Sequence, residues 1–282
     1  MNTTNQFADA PATDADTKQS VADFWNEGSC GTELTQQQKY SKEYFEEIEA
    51  KRYEREPEIF SFAQFPRFRG KKVLEVGVGA GTDFLQWVRV GALAHGMDLT
   101  EEAIQNVEHR LDVYGLKAED LRLGDAENIP YDDDFFDLVY SWGVIHHTPN
   151  TPRAFEEIVR VTRPGGHCKI MIYHRRSLGA FYWWLRYGLM VGKPWRSFSW
   201  CLYHHMESVG TKAYTPREAK RMLRSLPVKN IRIRTSLTYY DKWGGSSRLR
   251  QRLAKLLAYA LGGDRVGWFL LMEFDKKPVS TK

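Results

Sequence analysis

The chain has 282 residues, 42% of them hydrophobic, so it can bury one large core together with a modest accessory region. Its three cysteines, Cys30, Cys168 and Cys201, have neither disulfide nor metal-ligand spacing, which favours a reducing compartment. The polar first twenty residues lack a signal-peptide core, and Arg186 interrupts the most apolar tract, so we expect a cytoplasmic protein without a membrane span.

The net charge of +4 conceals a strong asymmetry along the chain. Residues 1 to 174 carry 18 Lys and Arg against 30 Asp and Glu, a balance of −12. Residues 175 to 282 carry 22 against 6, a balance of +16. The second half is therefore the part expected to meet an anionic partner or surface.

The N-terminal region divides into two parts. Residues 1 to 18 are rich in Ala, Thr, Asp and Asn, which predicts a disordered tail. Residues 19 to 69 are predicted to be helical, because apolar side chains such as Tyr44, Phe45 and Ile48 recur at helical spacing. This segment either covers a site as a lid or packs on the edge of the domain.

A glycine-rich turn follows the first predicted strand. Residues 73 to 76, apolar except for Glu75, lead into Gly77, Gly79 and Gly81, after which a helix opens at Thr82. Glycines in such turns permit positive φ and close approach of the backbone to a cofactor, and the helix start offers free N–H groups. The spacing is not the dinucleotide pattern G-x-G-x-x-G, so the turn alone is weak evidence.

Carboxylates follow the next two predicted strands. Asp98 ends the apolar segment 92–97, where it can accept the hydroxyls of a ribose, or it caps the helix that starts near Thr100. Asp125 follows the short strand 121–123, and it is either a ligand contact or an ordinary turn residue.

A fourth strand, residues 136 to 140, leads to Trp142, Gly143 and the pair His146-His147. On residue type alone Trp142 is more often a core residue than a ligand contact. A helix over 151–162 and a turn at 163–166 then precede a fifth strand, His167 to Tyr173.

In order and spacing, these motifs over residues 70 to 174 resemble the class I S-adenosylmethionine-dependent methyltransferases, especially those acting on quinones, sterols and natural products. The resemblance implies an α/β fold: a seven-stranded, Rossmann-like sheet, mostly parallel with the last strand antiparallel, with helices on both faces and helical insertions. It also implies S-adenosylmethionine as the cofactor. Its methionine part would lie against Glu75, Gly77, Gly79 and Gly81, its ribose on Asp98, its adenine beside Leu99, Asp125 and Ala126, and its sulfonium near Trp142 and Gly143.

Methyl transfer to a hydroxyl or an acidic carbon needs a general base, and histidine suits neutral pH. His146 and His147 are the candidates, since they lie where the acceptor site of the family opens. A packing or hydrogen-bonding role is the alternative for this pair.

Residues 175 to 282 are predicted to add substrate-recognition insertions and to complete the sheet. A capping box at Thr215 and Glu218 opens a helix, and strands follow at 229–235 and 266–274. Between them lies a basic amphipathic helix, over about 246 to 261, which either rests on an anionic membrane or packs on the core. Its alternating residues are Arg248, Arg250, Arg252 and Lys255 with Leu249, Leu253, Leu256, Leu257 and Leu261.

Candidate substrate residues are Tyr40 and Tyr44 in the N-terminal segment and His204, His205 and Tyr214 after the first insertion. Adjacent histidines cannot readily aim at one ion, so no metal is predicted.

The sequence therefore predicts methyl transfer to a hydrophobic small molecule or lipid-like acceptor, at the surface of a membrane, with O-, C- or N-methylation left open. The basic half also allows an RNA or protein methyltransferase, although no nucleic-acid-binding module is recognisable. A third alternative is a cofactor-binding partner subunit without catalytic activity.

Overall fold

The computed structural model describes residues 13–208, 210–242 and 248–278, with side chains left out of the description at 248–250 and 264. The N-terminal part of the predicted tail therefore lies outside the described residues, as do the side chains of Arg248, Leu249 and Arg250 in the basic helix.

A seven-stranded sheet forms the centre of the molecule, with the strand order β3-β2-β1-β4-β5-β7-β6. Strands β1 to β5 are parallel, and β7 is antiparallel to both β5 and β6. This confirms the predicted fold class. The strands are β1 (Lys72–Val76), β2 (Leu93–Asp98), β3 (Asp120–Leu123), β4 (Phe136–Trp142), β5 (Thr162–Tyr173), β6 (Val228–Ser236) and β7 (Phe269–Lys276).

Helices surround the sheet and also precede it. They are α1 (Asp14–Asn26), α2 (Lys42–Arg55), α3 (Glu58–Ala63), α4 (Thr82–Arg89), α5 (Glu101–Tyr114), α6 (Thr151–Val161), α7 (Leu178–Trp184), α8 (Phe198–His205), α9 (Pro216–Arg224) and α10 (Arg248–Ala260). The capping box predicted at Thr215 and Glu218 is present at the start of α9.

Two predicted boundaries are wrong. Helix α1 begins at Asp14, inside the predicted disordered tail, because the Thr13 hydroxyl accepts the Asp16 N–H and caps the helix. Strand β5 begins at Thr162, which pairs with Phe136, whereas Leu138 pairs with His167. The predicted turn at 163–166 is therefore a bulge within the strand.

The sheet separates two large hydrophobic clusters. Trp87, Leu138 and Tyr140 belong to one, while Phe155, Ile170 and Phe274 belong to the other. A smaller cluster of Tyr44, Phe45, Ile48 and Ala80 attaches α2 to the loop after β1. Helix α2 is thereby fixed next to the carboxyl end of β1, where the glycine turn lies.

Helix α10 does not bury the face that the leucine spacing predicts. Its buried positions are Ala254 and Ala258, which pack with Leu178. Leu253, Leu256, Leu257 and Leu261 are exposed, Leu256 by 65%. Because the small alanines allow close approach of the helix, the described leucines are left outside the core, and the core-packing interpretation is wrong for them. In the described part of the chain, no helix has both the length and the apolar character needed to cross a bilayer.

Candidate functional site

A single cavity opens at the carboxyl ends of β1, β2 and β4. It holds about 1310 Å³ of empty space, part of it continuous with solvent. Nine of the ten residues expected to hold the cofactor line it: Glu75, Gly77, Gly79, Asp98, Leu99, Asp125, Ala126, Trp142 and Gly143. The tenth, Gly81, is not among the lining residues.

The three glycines all have positive φ, but they serve different purposes. A Cβ on Gly77 would lie 2.2 Å from Val144 Cγ2, and one on Gly81 would lie 3.0 Å from Val107 Cγ2. A Cβ on Gly79 would meet nothing within 4 Å. Gly77 and Gly81 therefore permit close packing within the protein, and only Gly79 combines a place in the cavity wall with open space.

The Asp98 carboxylate organises the turn around it. Its Oδ2 accepts the Gly79 N–H at 3.1 Å, and its Oδ1 accepts the Thr100 N–H and hydroxyl at 3.1 and 2.8 Å. Thr100, rather than Asp98, caps α5 through the Ala103 N–H. Burial raises the pKa of Asp98, while these hydrogen bonds oppose the rise. Carboxylate oxygens have further lone pairs, so Asp98 can still accept hydroxyl groups from a ligand.

Asp125 links the cavity to the N-terminal helix. Lys18 Nζ lies 2.6 Å from Asp125 Oδ2 and 2.7 Å from Glu127 Oε2. Asp125 Oδ1 also accepts the Glu127 N–H at 2.8 Å, as in a turn. Asp125 therefore has the hydrogen bond of a turn residue, and its carboxylate also lies in the cavity wall beside α1.

Glu75 provides a test of whether this end of the cavity fits the expected cofactor. It is almost fully buried in the cavity wall, and its Oε2 has no hydrogen-bond partner among the described residues. Burial and the nearby charge of Asp83 raise the pKa of Glu75 well above its usual value. The cationic amino group of an amino-acid ligand would supply the missing partner, so the residues fit S-adenosylmethionine.

The other end of the cavity is largely aromatic. Trp142 donates its indole N–H to Glu56 Oε2 at 2.7 Å, and Tyr240 donates its hydroxyl to Glu56 Oε1 at 3.0 Å. Trp25 and Phe269 also line this region. Trp142 is therefore both a packed residue and a cavity wall, and Glu56, the residue that caps α2, ties that helix to the site.

His147, Glu207 and Tyr173 meet at the same end. His147 Nε2 lies 3.4 Å from Glu207 Oε2, and the Tyr173 hydroxyl lies 3.0 and 3.1 Å from the two Glu207 oxygens. The hydroxyls of Ser208 and Thr211 lie 3.0 Å from His147 Nδ1. All three principal residues line the cavity, and Glu207 has an unusual positive φ of 51°.

His146 differs from its neighbour. It is fully buried and absent from the cavity wall, and neither ring nitrogen has a described hydrogen-bond partner. Burial lowers its pKa well below the usual value, so the ring stays neutral. One ring nitrogen of His146, one ring nitrogen of His147 and one carboxylate oxygen of Glu207 lie within 4.8 Å of one another.

Comparison with known families agrees with this geometry. Residues 74–170, about a third of the chain, match the model of the methyltransferase domain. A phthiotriol/phenolphthiotriol dimycocerosates methyltransferase of Mycobacterium leprae is 42% identical over 100 residues, 35% of this chain and 36% of that protein. The chain contains a class I S-adenosylmethionine-dependent methyltransferase domain. The matched segment spans about a third of that relative's length.

The chain is also similar to other methyltransferases. An arsenite methyltransferase of Halobacterium salinarum is 35% identical over 104 residues, 36% of this chain and 27% of that protein. The crystal structure of a geranyl diphosphate C-methyltransferase from Streptomyces coelicolor has a TM-score of 0.63 at 16% identity, over 95% of this chain and all of that one. The fold of this chain is therefore similar to that structure over more than the matched residues 74–170.

The residues predicted to contact the acceptor of the methyltransferase are not brought to the cavity. Tyr40 stacks on His109, with ring centroids 3.9 Å apart, and Tyr44 belongs to the α2 cluster. His204 stacks on Trp200 and His205 on Tyr187, while Tyr214 packs against the second large cluster. None of the five is among the lining residues of this cavity.

The aromatic end of the cavity is instead lined by residues outside the predicted substrate set. Besides Tyr173 and Glu207, these include Trp25, Arg52, Glu56, Tyr240 and Phe269. Arg52 and Glu56 are four residues apart at the end of α2, and Arg52 lies 3.5 Å from Asp83. The spacing of Arg52 and Glu56 on one face of α2 was the available sequence signal for this pair. Asp83, which Arg52 contacts, belongs to α4 and is not indicated by that spacing.

Proposed function

We propose that the protein transfers the methyl group of S-adenosylmethionine to a hydrophobic, lipid-like acceptor at the surface of a membrane. The observation that carries the proposal is the single cavity with two chemically different ends. Most of the predicted cofactor residues lie in the loops after β1, β2 and β3, whereas aromatic side chains, among them Trp142 and Phe269, cluster at the other end. The name of the mycobacterial relative, which gives phthiotriol and phenolphthiotriol dimycocerosates as acceptors, is compatible with a lipid-like molecule.

Bound S-adenosylmethionine supplies an electrophilic methyl group on a positively charged sulfur. The protein's part is to hold the acceptor in line with that group and to exclude water. Asp98, Asp125 and Glu75 would hold the cofactor, with Gly79 allowing close approach. Trp25, Trp142, Tyr173 and Phe269 would form apolar walls for the acceptor.

The N-terminal helices support a lid role. Lys18 on α1 pairs with Asp125, and the Trp25 ring lies edge-on to His147 with centroids 5.6 Å apart. Thus one helix touches both ends of the cavity. We propose that residues 19 to 69 cover the bound substrates.

The acceptor class can be tested by transferring radiolabelled methyl groups from S-adenosylmethionine into a host-cell extract. We expect label in the organic fraction, because the acceptor end of the cavity is aromatic. Label in RNA or protein instead would assign the basic half to a polymer and contradict the lipid-like acceptor. Cofactor binding without label in any fraction would favour the non-catalytic partner subunit.

The membrane proposal rests on α10 and its charge. Tyr259 is exposed by 87% and Leu256 by 65%, beside Arg252 and Lys255 on the same basic helix. A helix with exposed leucines and cations can insert its apolar side chains at an anionic bilayer surface.

Binding to vesicles containing anionic lipid should weaken when Arg252 and Lys255 are both changed to Glu. Each cation near such a surface contributes about 1 kcal/mol, so the double change should lower partition by at least about 30-fold. Sedimentation with vesicles at two salt concentrations measures this. A matched control changes Lys220 and Arg221 to Glu on α9, which packs on a different cluster. Equal loss in both variants would reject α10 as the contact surface.

A further inference from the structure

We propose that Glu207 and His147 form the base that removes a proton from the acceptor, so that the methylated atom is one that loses a proton, a hydroxyl oxygen or an acidic carbon. The inference rests on the proposed methyl transfer and narrows its chemistry. Both side chains line the acceptor end of the cavity, although they are 60 residues apart in the chain.

The hydrogen bonds around His147 determine where its proton lies. The Thr211 hydroxyl donates its only proton to the Ser208 carbonyl oxygen at 2.7 Å. Towards His147 Nδ1, 3.0 Å away, Thr211 Oγ1 can therefore act only as an acceptor. A proton on His147 Nδ1 satisfies this contact and also the one to the Ser208 hydroxyl, 3.0 Å away, which then accepts as well. This tautomer leaves the lone pair of neutral His147 on Nε2.

That lone pair faces a carboxylate. His147 Nε2 and Glu207 Oε2 are 3.4 Å apart, and both are acceptors when His147 is neutral and Glu207 is ionised. Tyr173 donates its hydroxyl to the same carboxylate and so cannot supply a proton to the gap without losing that bond. Two facing acceptors gain by taking up one proton between them, which is the property required of a base.

The backbone of Glu207 indicates that its position is imposed. A glutamate at φ 51° lies in the left-handed region, which costs a non-glycine residue free energy, and such residues cluster at functional sites. The Glu207 side chain is 27% exposed, so a proton held by the pair can pass to solvent through the carboxylate.

The ionisable groups around the pair divide into uncharged and charged neighbours. Burial raises the pKa values of Tyr173 and Tyr240 and lowers that of His146, so all three stay uncharged. The charged neighbours are Lys212, Glu56 and Arg52; Lys212 Nζ lies 3.0 Å from the Pro149 carbonyl oxygen, and Arg52 and Glu56 lie 3.9 Å apart.

The reaction balances with this assignment. With a hydroxyl acceptor, a lone pair of its oxygen forms the new bond to the methyl carbon as the carbon–sulfur bond breaks, with the electron pair remaining on sulfur. The O–H proton passes to the His147 and Glu207 pair, and from there to solvent. An acceptor that attacks through a lone pair without losing a proton would not need the pair.

The test compares wild type with Glu207→Gln, using label transferred to the organic fraction of a host-cell extract across a pH series. We expect the initial rate of the variant to fall on the order of 10² to 10⁴ fold, with affinity for S-adenosylhomocysteine unchanged. In wild type the rate should rise with pH as the pair loses its proton. This rising part of the pH–rate profile should disappear in the variant. Glu43→Gln, at an exposed position on α2, is the control.

A rate within threefold of wild type in Glu207→Gln would overturn the assignment. So would loss of wild-type activity on treatment with EDTA and its return with zinc, since His146, His147 and Glu207 would then be metal ligands. NMR titration of labelled histidine with S-adenosylhomocysteine bound needs no acceptor. It should show the His147 transition change in Glu207→Gln, and an unchanged transition would reject the pair even if methyl transfer itself fails.

Discussion

Replacing Gly77 with alanine should destabilise the protein by about 2 to 5 kcal/mol, whereas the same change at Gly79 should cost only about 1 to 2 kcal/mol. Both residues have positive φ, so both variants suffer the conformational cost of a Cβ in the left-handed region. Only at Gly77 does the new Cβ also collide with a side chain, 2.2 Å from Val144 Cγ2. Denaturant unfolding of the two variants without ligand measures the difference.

The collision can be isolated by a double-mutant cycle. Val144→Ala removes the methyl groups that the new Cβ would meet, so it should recover about 1 to 3 kcal/mol when combined with Gly77→Ala. Combined with Gly79→Ala, it should recover nothing. Additive free energies in the first pair, or equal destabilisation by the two glycine variants, would show that the close packing at Gly77 does not determine its identity.

The same glycines show what local sequence can predict. The strand, the turn and the start of α4 follow from an apolar run, three glycines and Thr82, because each signal acts over a few residues. The reason for a glycine at each position does not follow from local sequence. The side chain next to Gly81 is Val107 and the one next to Gly77 is Val144, and both are distant in the chain. A positive φ is a local property, whereas the reason for a close approach is tertiary.

The acceptor end was harder to predict for a related reason. Residue type and helical spacing made Tyr44 and His205 candidates, but spacing does not reveal which face of a helix meets the cavity. Tyr44 packs against Ala80 and Phe45, and His205 against Tyr187. Conversely, His147 and Glu207 are united by the return of the chain after α8, a contact with no local signature.

The charge asymmetry was visible in the sequence, but its placement was not. The basic helix exists as predicted, yet its buried stripe is formed by Ala254 and Ala258 rather than by leucines. Small residues at a helix interface allow close packing, and this left the larger Leu253 and Leu256 exposed. An amphipathic pattern identifies two faces of a helix without saying which one the fold will cover.

Replacing Asp98 with alanine should weaken binding of S-adenosylhomocysteine by at least about 100-fold. A hydrogen bond to a charged group contributes about 1.5 to 3 kcal/mol, and a ribose offers two hydroxyls to this carboxylate. The variant also loses the acceptor for the Gly79 N–H, which holds the turn against β2. Asp98→Asn keeps one acceptor oxygen but loses the charge, so its affinity should be intermediate. Calorimetric titration measures both variants.

Acidification should reproduce part of this loss in wild type. Burial raises the pKa of Asp98, so its carboxylate is protonated at a higher pH than an ordinary aspartate, and affinity should fall as the pH drops through that value. The matched control is Asp120→Asn at the amino end of β3, whose carboxylate pairs with Arg122. If Asp98→Ala binds within threefold of wild type while folding normally, the ribose cannot rest on Asp98. The cofactor would then have to be held without Asp98, by Glu75, Asp125 and the other predicted residues of the cavity wall.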